Sequence, residues 1–521
     1  MCTKTTSIIF RVVILIYCIV PFTICDKLDD LNLPSEHLPY YFNTYKDVLQ
    51  EYCKETPNHD FCGNKKSKSC WGYELNCDSS NSYHRPVCPG SYNGWVQSKK
   101  EQISTFYNQA DFGFVREQRN EMMLMCEPSF KEDSSLECSN HLRFCRGRNI
   151  FINFTSLASR KEPIRYKMDV LKDGEIGGFC NFKKPRLLEE CDHLSPLQSW
   201  GPELQHFTAL RRPPIPHNCD VVVNEPTFIM KIDATVNMYH HFCDFFNLYA
   251  SLHVNSSHED TFSRNVRILI WESYTYQSAF SATFDTFTKY PIWDLKTFAG
   301  QTVCFKNVVF PLLPRMIFGL YYNTPLIGGC ERSGLFHAFS KFILHRLDIP
   351  TFKRHNKRFK VTFLSRDTMY RKVLNERQLL HALSANTSYD VNRVVFDRNY
   401  PLKDQLKIIH NTDIFISIHG AGLTHLLFLP DWAAVFELYN CEDPSCYYDL
   451  ARLRGVKYVT WQDQLKLYQQ DENHPERGAH AKFTNYKFDV DEFLKLVEVA
   501  AKHVSEQENF PGHYLNDRDE L

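Results

Sequence analysis

The sequence predicts an α/β chain: two Rossmann-like units facing a cleft, preceded by a cysteine-rich, disulfide-linked region. Three observations carry that prediction. From Asp220 onward, short runs rich in Val, Ile, Leu and Phe alternate with helix-length segments, the pattern of a parallel sheet covered on both faces. The basic, polar stretch Arg354–Arg358 divides this alternation in two and reads as a hinge. Five cysteines, Cys53, Cys62, Cys70, Cys77 and Cys88, crowd a loop-rich amino-terminal part with polar clusters at Gly63–Ser69 and Asp78–Ser82.

The two ends of the chain predict where it works. Residues 1–25 read as a secretory leader: Lys4 and Arg11 precede the apolar run Val12–Val20, and Thr23 and Cys25 suit a cut before Asp26. That run is about half of the ~20 residues that span a bilayer, and no other stretch approaches that length, so no membrane span is expected. The chain ends in Arg518, Asp519, Glu520 and Leu521, a variant of the tetrapeptide read by the endoplasmic-reticulum retrieval receptor. Together they predict a soluble resident of the endoplasmic reticulum lumen. Of 19 cysteines, three lie in the leader, and the remaining sixteen suit an oxidising compartment. Asn153, Asn255 and Asn386 head N-glycosylation sequons. The net charge of −1 gives no electrostatic case for nucleic acid.

The expected domains are the leader (1–25), the cysteine-rich region (26–217), a first lobe (218–353), a second lobe (354–510) and a tail (511–521). In the cysteine-rich region, Ser98–Arg119 has helical character, Asn149–Thr155 reads as a strand and Pro213–Pro216 as a boundary. In the first lobe, Val221–Val223, Thr227–Ile232 and Val266–Glu272 read as strands and Thr302–Pro311 as a strand pair. Asn237–His253, Ser278–Lys289 and Leu335–Leu347 read as helices. In the second, strands Phe359–Ser365, Asp390–Phe396, Ile414–Ile418, Val435–Tyr439 and Lys457–Trp461 alternate with helices Glu376–Ser384, Lys403–His410 and Leu423–Leu429. The amphipathic helix Val490–Val504 follows. Cys441 and Cys446 are expected to close a small loop.

Three groups of residues can do chemistry. The first is the turn His419-Gly420-Ala421-Gly422 between a strand and a helix, where bare backbone can approach an anion. Thr424 can add a hydroxyl to a phosphate, and Glu437, at the carboxyl end of the next strand, suits ribose hydroxyls. The second is Arg366 and Arg371, just past a strand end, where guanidinium groups can neutralise a diphosphate. The third is Asn237–Asp244. On a helix, His240 and Asp244 share a face four residues apart, so Asp244 can orient His240 as a general base. The roles can also be reversed, or His241 can serve. No third ligand at helical spacing supports a metal there, and His258-Glu259-Asp260 reads as a solvated loop beside the Asn255 sequon.

The combination N-x-x-H-x-x-x-D, a strand followed by R-x-x-x-x-R, and HGAGLTH-x-x-FLP with Glu437 seven residues beyond Pro430 resembles glycosyltransferase family 61. The resemblance implies a GT-B arrangement with UDP-GlcNAc on the second lobe. It also implies inverting transfer of GlcNAc to Ser or Thr of folded EGF-like repeats in secreted or membrane proteins, Notch-type receptors included. Arg366, Arg371, Gly420–Gly422 and Thr424 would hold the diphosphate, Glu437 the ribose, and His240 with Asp244 would face the acceptor. Close vertebrate members carry Asp-Tyr-Asp where this chain has Lys289-Tyr290-Pro291. No metal is therefore expected to be strictly required, although a divalent cation can stimulate. Two other activities stay open at this point: transfer to O-mannosyl glycoproteins, as in a sibling branch, and a non-catalytic lumenal chaperone or lectin.

Overall fold

The computed structural model describes residues 31–55, 62, 68–92, 95–215, 219–257, 259–322, 324, 326–439, 445–470 and 481–514. The leader, Arg518–Leu521, His258 and Cys441 lie outside the described residues.

The amino-terminal body is built on one mixed sheet, eleven-stranded among the described residues. Met123–Glu127 (β1), Ser135–Cys138 (β2) and Cys145–Asn153 (β3) form an antiparallel meander. Thr227–Met230 (β4), Arg267–Ile270 (β5), Trp293–Asp294 (β6) and Thr302–Phe310 (β7) form a parallel half. The spatial order is β6-β5-β4-β7-β3-β2-β1. The long β7 joins the halves: it runs parallel to β4 and antiparallel to β3, from Thr302 opposite Asn153 to Phe310 opposite Cys145.

The boundary expected at 217 is therefore crossed by the sheet itself. The 26–217 region supplies strands to the same layer instead of standing apart. The disulfide Cys88–Cys330 ties the two stretches again. Cys53–Cys62, Cys70–Cys77, Cys126–Cys180, Cys138–Cys145 and Cys219–Cys304 complete the pairs formed among the described residues.

Helix Met238–Val254 (α1) crosses from β4 to β5. Asn237 caps it by accepting a hydrogen bond from the Tyr239 amide at 3.0 Å. It is apolar nearly all round, and almost every side chain after its first turn is buried, as expected of a core helix. Helix Gly334–Arg346 (α2) packs beside it. The expected helix at Ser278–Lys289 is only a 3-10 turn, Ser281–Thr286, and the strand pair expected at 302–311 is the single strand β7.

The second body is a five-stranded parallel sheet. Phe359–Leu364 (β8), helix Glu376–Ala385 (α3), Tyr389–Val394 (β9), helix Leu402–Ile409 (α4) and Ile414–Ser417 (β10) come first. Ala434–Glu437 (β11), helix Cys446–Arg454 (α5), Lys457–Thr460 (β12) and helix Val490–Ser505 (α6) follow. The spatial order is β9-β8-β10-β11-β12.

The hinge expected at Arg354–Arg358 is pinned. Arg354 is buried, ion-paired with Asp413, and stacks on Phe510 at 4.7 Å. The two bodies also share a core: Phe428 of the second meets Phe242 of α1 with ring centroids 4.9 Å apart.

Candidate active site

Open α/β sheets bind ligands outside the carboxyl ends of their strands, where the strand order reverses. Each body has one such point. In the first it lies between β4 and β7, and the residues that follow those strands are Asp233 and Arg315. Asp233 accepts a hydrogen bond from His240 Nδ1 at 2.7 Å and a fork from Arg315, Nε at 2.8 Å and Nη2 at 3.0 Å. Burial pushes the Asp233 carboxyl up, but the hydrogen bonds from His240 and Arg315 outweigh it and hold the group below the usual carboxylate range. An ionised Asp233 fixes the proton of His240 on Nδ1 and leaves the Nε2 lone pair to receive one. The imidazole is partly exposed, and Tyr322 packs against it at 5.5 Å and against Arg315 at 4.3 Å.

The carboxylate that meets His240 is Asp233, not the Asp244 named by the helix-face argument. Asp244 lies fully inside, accepting the Asp233 backbone N–H at 3.1 Å through both oxygens, and burial pushes it well above the usual range. His241 is buried between Thr283 at 3.0 Å and Tyr276 at 3.2 Å, and burial lowers it to about 3, so it stays neutral and away from the cleft. The i,i+4 rule places two residues on one face but cannot say which way that face points. Here the sheet lies beneath it.

In the second body the order reverses between β8 and β10, and the residues that follow are Ser365, Arg366 and His419-Gly420. Arg371 donates Nη1 to the His419 carbonyl at 3.1 Å, and Arg366 Nη1 approaches the same oxygen at 3.5 Å. Two guanidinium groups thus converge on one turn. Gly420 has φ +154°, and a Cβ there would lie 2.2 Å from Arg366 Nη1; a Cβ at Gly422 would lie 2.7 Å from Leu364. The positive φ favours glycine at Gly420, and a side chain at either position would push aside the end of Arg366 or Leu364. The buried Ser365 Oγ and Arg371 Nε have no hydrogen-bond partner among the described residues. At the carboxyl end of these strands, such donors suit an anionic ligand.

Burial bears on two expectations here. Glu437 is 1% exposed, and its oxygens are taken by His419 Nδ1 at 2.6 Å and Tyr458 Oη at 2.5 Å. It braces the glycine turn rather than presenting itself to a ribose. Thr424 is fully buried within the 3-10 helix Ala421–Phe428, and its Oγ1, like Ser365 Oγ, has no hydrogen-bond partner among the described residues.

A chain of ring contacts links the two reversal points. Ring contacts lead from His240 to Tyr239 (5.7 Å), on to Tyr447 of α5 (5.8 Å) and on to His419 (5.3 Å). Asp233, Arg315, Tyr322, Tyr447 and Tyr458 are the site residues that sequence reasoning missed. Applying the strand-end rule to both sheets would have found Asp233 and Arg315.

Residues 238–436 match the family model described as Glycosyltransferase 61. The chain is 56% identical to the EGF domain-specific O-linked N-acetylglucosamine transferase of Drosophila melanogaster, over 92% of each chain. It is 47% identical to the enzyme of that name from Gallus gallus, over 94% of this chain and 92% of the relative. The Rattus norvegicus enzyme is also 47% identical, over 92% and 91%. The chain belongs to glycosyltransferase family 61. The family 61 segment opens on the helix of His240 and closes one residue before Glu437, so it contains the imidazole, both arginines and the glycine turn.

In this family 61 member, Lys289 is exposed, and Tyr290 stacks with Arg267 at 3.8 Å. Asn386 is exposed, while Asn153 and Asn255 are half-buried. No helix of the described residues is long and apolar enough to cross a membrane.

Proposed function

We propose that this protein is an inverting transferase that moves GlcNAc from UDP-GlcNAc to Ser or Thr of folded EGF-like domains. The observation that carries this reading is the pairing of two switch points. One holds a carboxylate-oriented imidazole, and the other holds two arginines on a glycine turn. The relatives' printed name supplies the sugar and the acceptor class.

The reaction is a single in-line displacement. The acceptor hydroxyl donates its proton to His240 Nε2 as its oxygen bonds to the anomeric carbon, and the bond to the UDP oxygen breaks on the opposite face. Asp233 stabilises the imidazolium that forms. Arg366 and Arg371 receive the charge that develops on the departing diphosphate, in a site whose donors are already aimed. These two cations support turnover without a strictly required metal, with a divalent ion as a stimulant only. Activity of the pure enzyme that vanished in chelator would refute this part.

The amino-terminal leader, the disulfides and the terminal Arg518–Leu521 support residence in the endoplasmic reticulum lumen. EGF-repeat proteins passing through it, Notch-type receptors among them, would be the acceptors.

The test is incubation of a folded EGF-like domain with the purified protein and UDP-GlcNAc, read by mass spectrometry. One added HexNAc is expected. UDP binding without any mass gain would instead favour another acceptor, such as an O-mannosyl glycoprotein. Absence of both would favour a lumenal binding protein.

A further inference from the structure

Exposed apolar side chains flank Asp233 and Arg315 along the chain, and two of them touch the Asp233–His240 pair. Val236, between Asp233 and the helix cap, is 82% exposed. Phe318, three residues beyond Arg315, is 64% exposed, and Ile317 and Tyr322 beside it are exposed as well. Tyr166 comes in from the cysteine-rich stretch, exposes its ring, and donates its hydroxyl to the Asp233 carbonyl. Phe318 and Tyr321 sit at φ +52° and +76°, in the left-handed region that side chains other than glycine disfavour. Tyr321 packs inward on Phe246 and Phe336, whereas Phe318 holds its ring outward on such a backbone, and backbone of this kind clusters at binding sites.

We infer that this rim is the landing surface for the folded acceptor domain. The inference rests on the transferase reading above and adds how the acceptor is held. A small disulfide-bonded domain cannot thread its chain into the cleft. Its reacting Ser or Thr must come within about 3 Å of His240 Nε2 while the domain stays folded. Its surface must then rest on what surrounds His240: Tyr322 and Tyr166 touch the Asp233–His240 pair, and Val236, Ile317 and Phe318 lie within three residues of Asp233 or Arg315 along the chain. Exposed aromatic and aliphatic groups set around an arginine have the composition of the centre of a protein interface. Tyr322 and Tyr166 join this group to the Asp233–His240 pair, so the patch selects a folded domain over an extended peptide.

The experiment compares wild type with Val236→Ser, Phe318→Gly and the double variant. Val236 is too exposed for the change to cost folding, and glycine suits the left-handed backbone at 318. KM for a folded EGF-like domain is measured, and Kd for UDP is measured by titration. Leu465→Ser, 89% exposed on the other body, is the control. The expected result is a KM raised about tenfold in the double variant, with Kd for UDP and the control unchanged. An unchanged KM in the double variant would overturn the inference. So would an equal rise for the same domain reduced and unfolded, since the surface would then not read the fold. A wild-type protein that binds UDP but never modifies the domain is a separate outcome, and it overturns the transferase reading itself.

Discussion

Asp233→Asn is the substitution that bears most on the proposed chemistry. The carboxylate accepts from His240 Nδ1 at 2.7 Å, within the range of charge-assisted hydrogen bonds, which are worth about 1.5–3 kcal/mol. Removing the charge withdraws that stabilisation from the imidazolium that forms during transfer, a factor of about 10–100 in rate. A second effect adds to it. An asparagine NH2 turned toward Nδ1 favours the other tautomer, which puts the proton on Nε2 and removes the lone pair that accepts the hydroxyl proton. The combined loss in kcat is about 10²–10⁴, the range for losing a general base. UDP affinity should stay within about twofold of wild type, because Arg366, Arg371 and Gly420 lie in the other body. Initial rates of HexNAc transfer give the first quantity, and calorimetric titration of UDP gives the second. An undiminished kcat, or a UDP affinity that fell along with it, would refute the assignment of Asp233 as the residue that positions His240.

Arg371→Ala should weaken UDP binding by about 10–100-fold, the loss of one charge-assisted contact to a diphosphate, with the same titration as readout. Gly420→Ala should also lower UDP affinity, since its Cβ would displace Arg366, and a small drop in melting temperature should accompany it. Glu437→Ala leaves His419 and Tyr458 facing a buried vacancy and should destabilise the protein by about 2–4 kcal/mol in urea titration. Burial lowers His241 and His253 to about 3, below the ~6.5 of an unfolded histidine. The unfolded chain therefore binds these protons first, so the stability they contribute is full above pH ~6.5 and is lost as pH falls toward 3. Each should give a slope of up to about 1.4 kcal/mol per pH unit in that window. Urea midpoints that stayed flat between pH 7 and pH 5 would contradict it.

The second body was legible almost element by element. Its strands are short, apolar and separated by helix-length segments, so the periodicity of a buried parallel sheet is uninterrupted from Phe359 to Thr460. The glycine turn and both arginines follow from that register. The first body was harder, because β1 and β2 carry cysteines and acidic residues that read as loop, and their pairing with β3 is set by tertiary contact. The boundary at 217 failed for the same reason. A proline-rich stretch marks a chain reversal, but a sheet can take strands from both sides of it. Glu437 was read from its position along the chain, and that reading did not contain burial. Glu437 is at a strand end, as expected, yet His419 and Tyr458 close over it.

The account divides labour between two faces: proton removal at Asp233–His240 and leaving-group stabilisation at Arg366–Arg371. Titrating UDP into His240→Ala tests that division most directly, with HexNAc transfer to a folded EGF-like domain measured on the same sample. The account predicts a UDP affinity within twofold of wild type and transfer reduced by at least about 100-fold. Transfer that persisted at the wild-type rate, or UDP binding lost together with transfer, would contradict it.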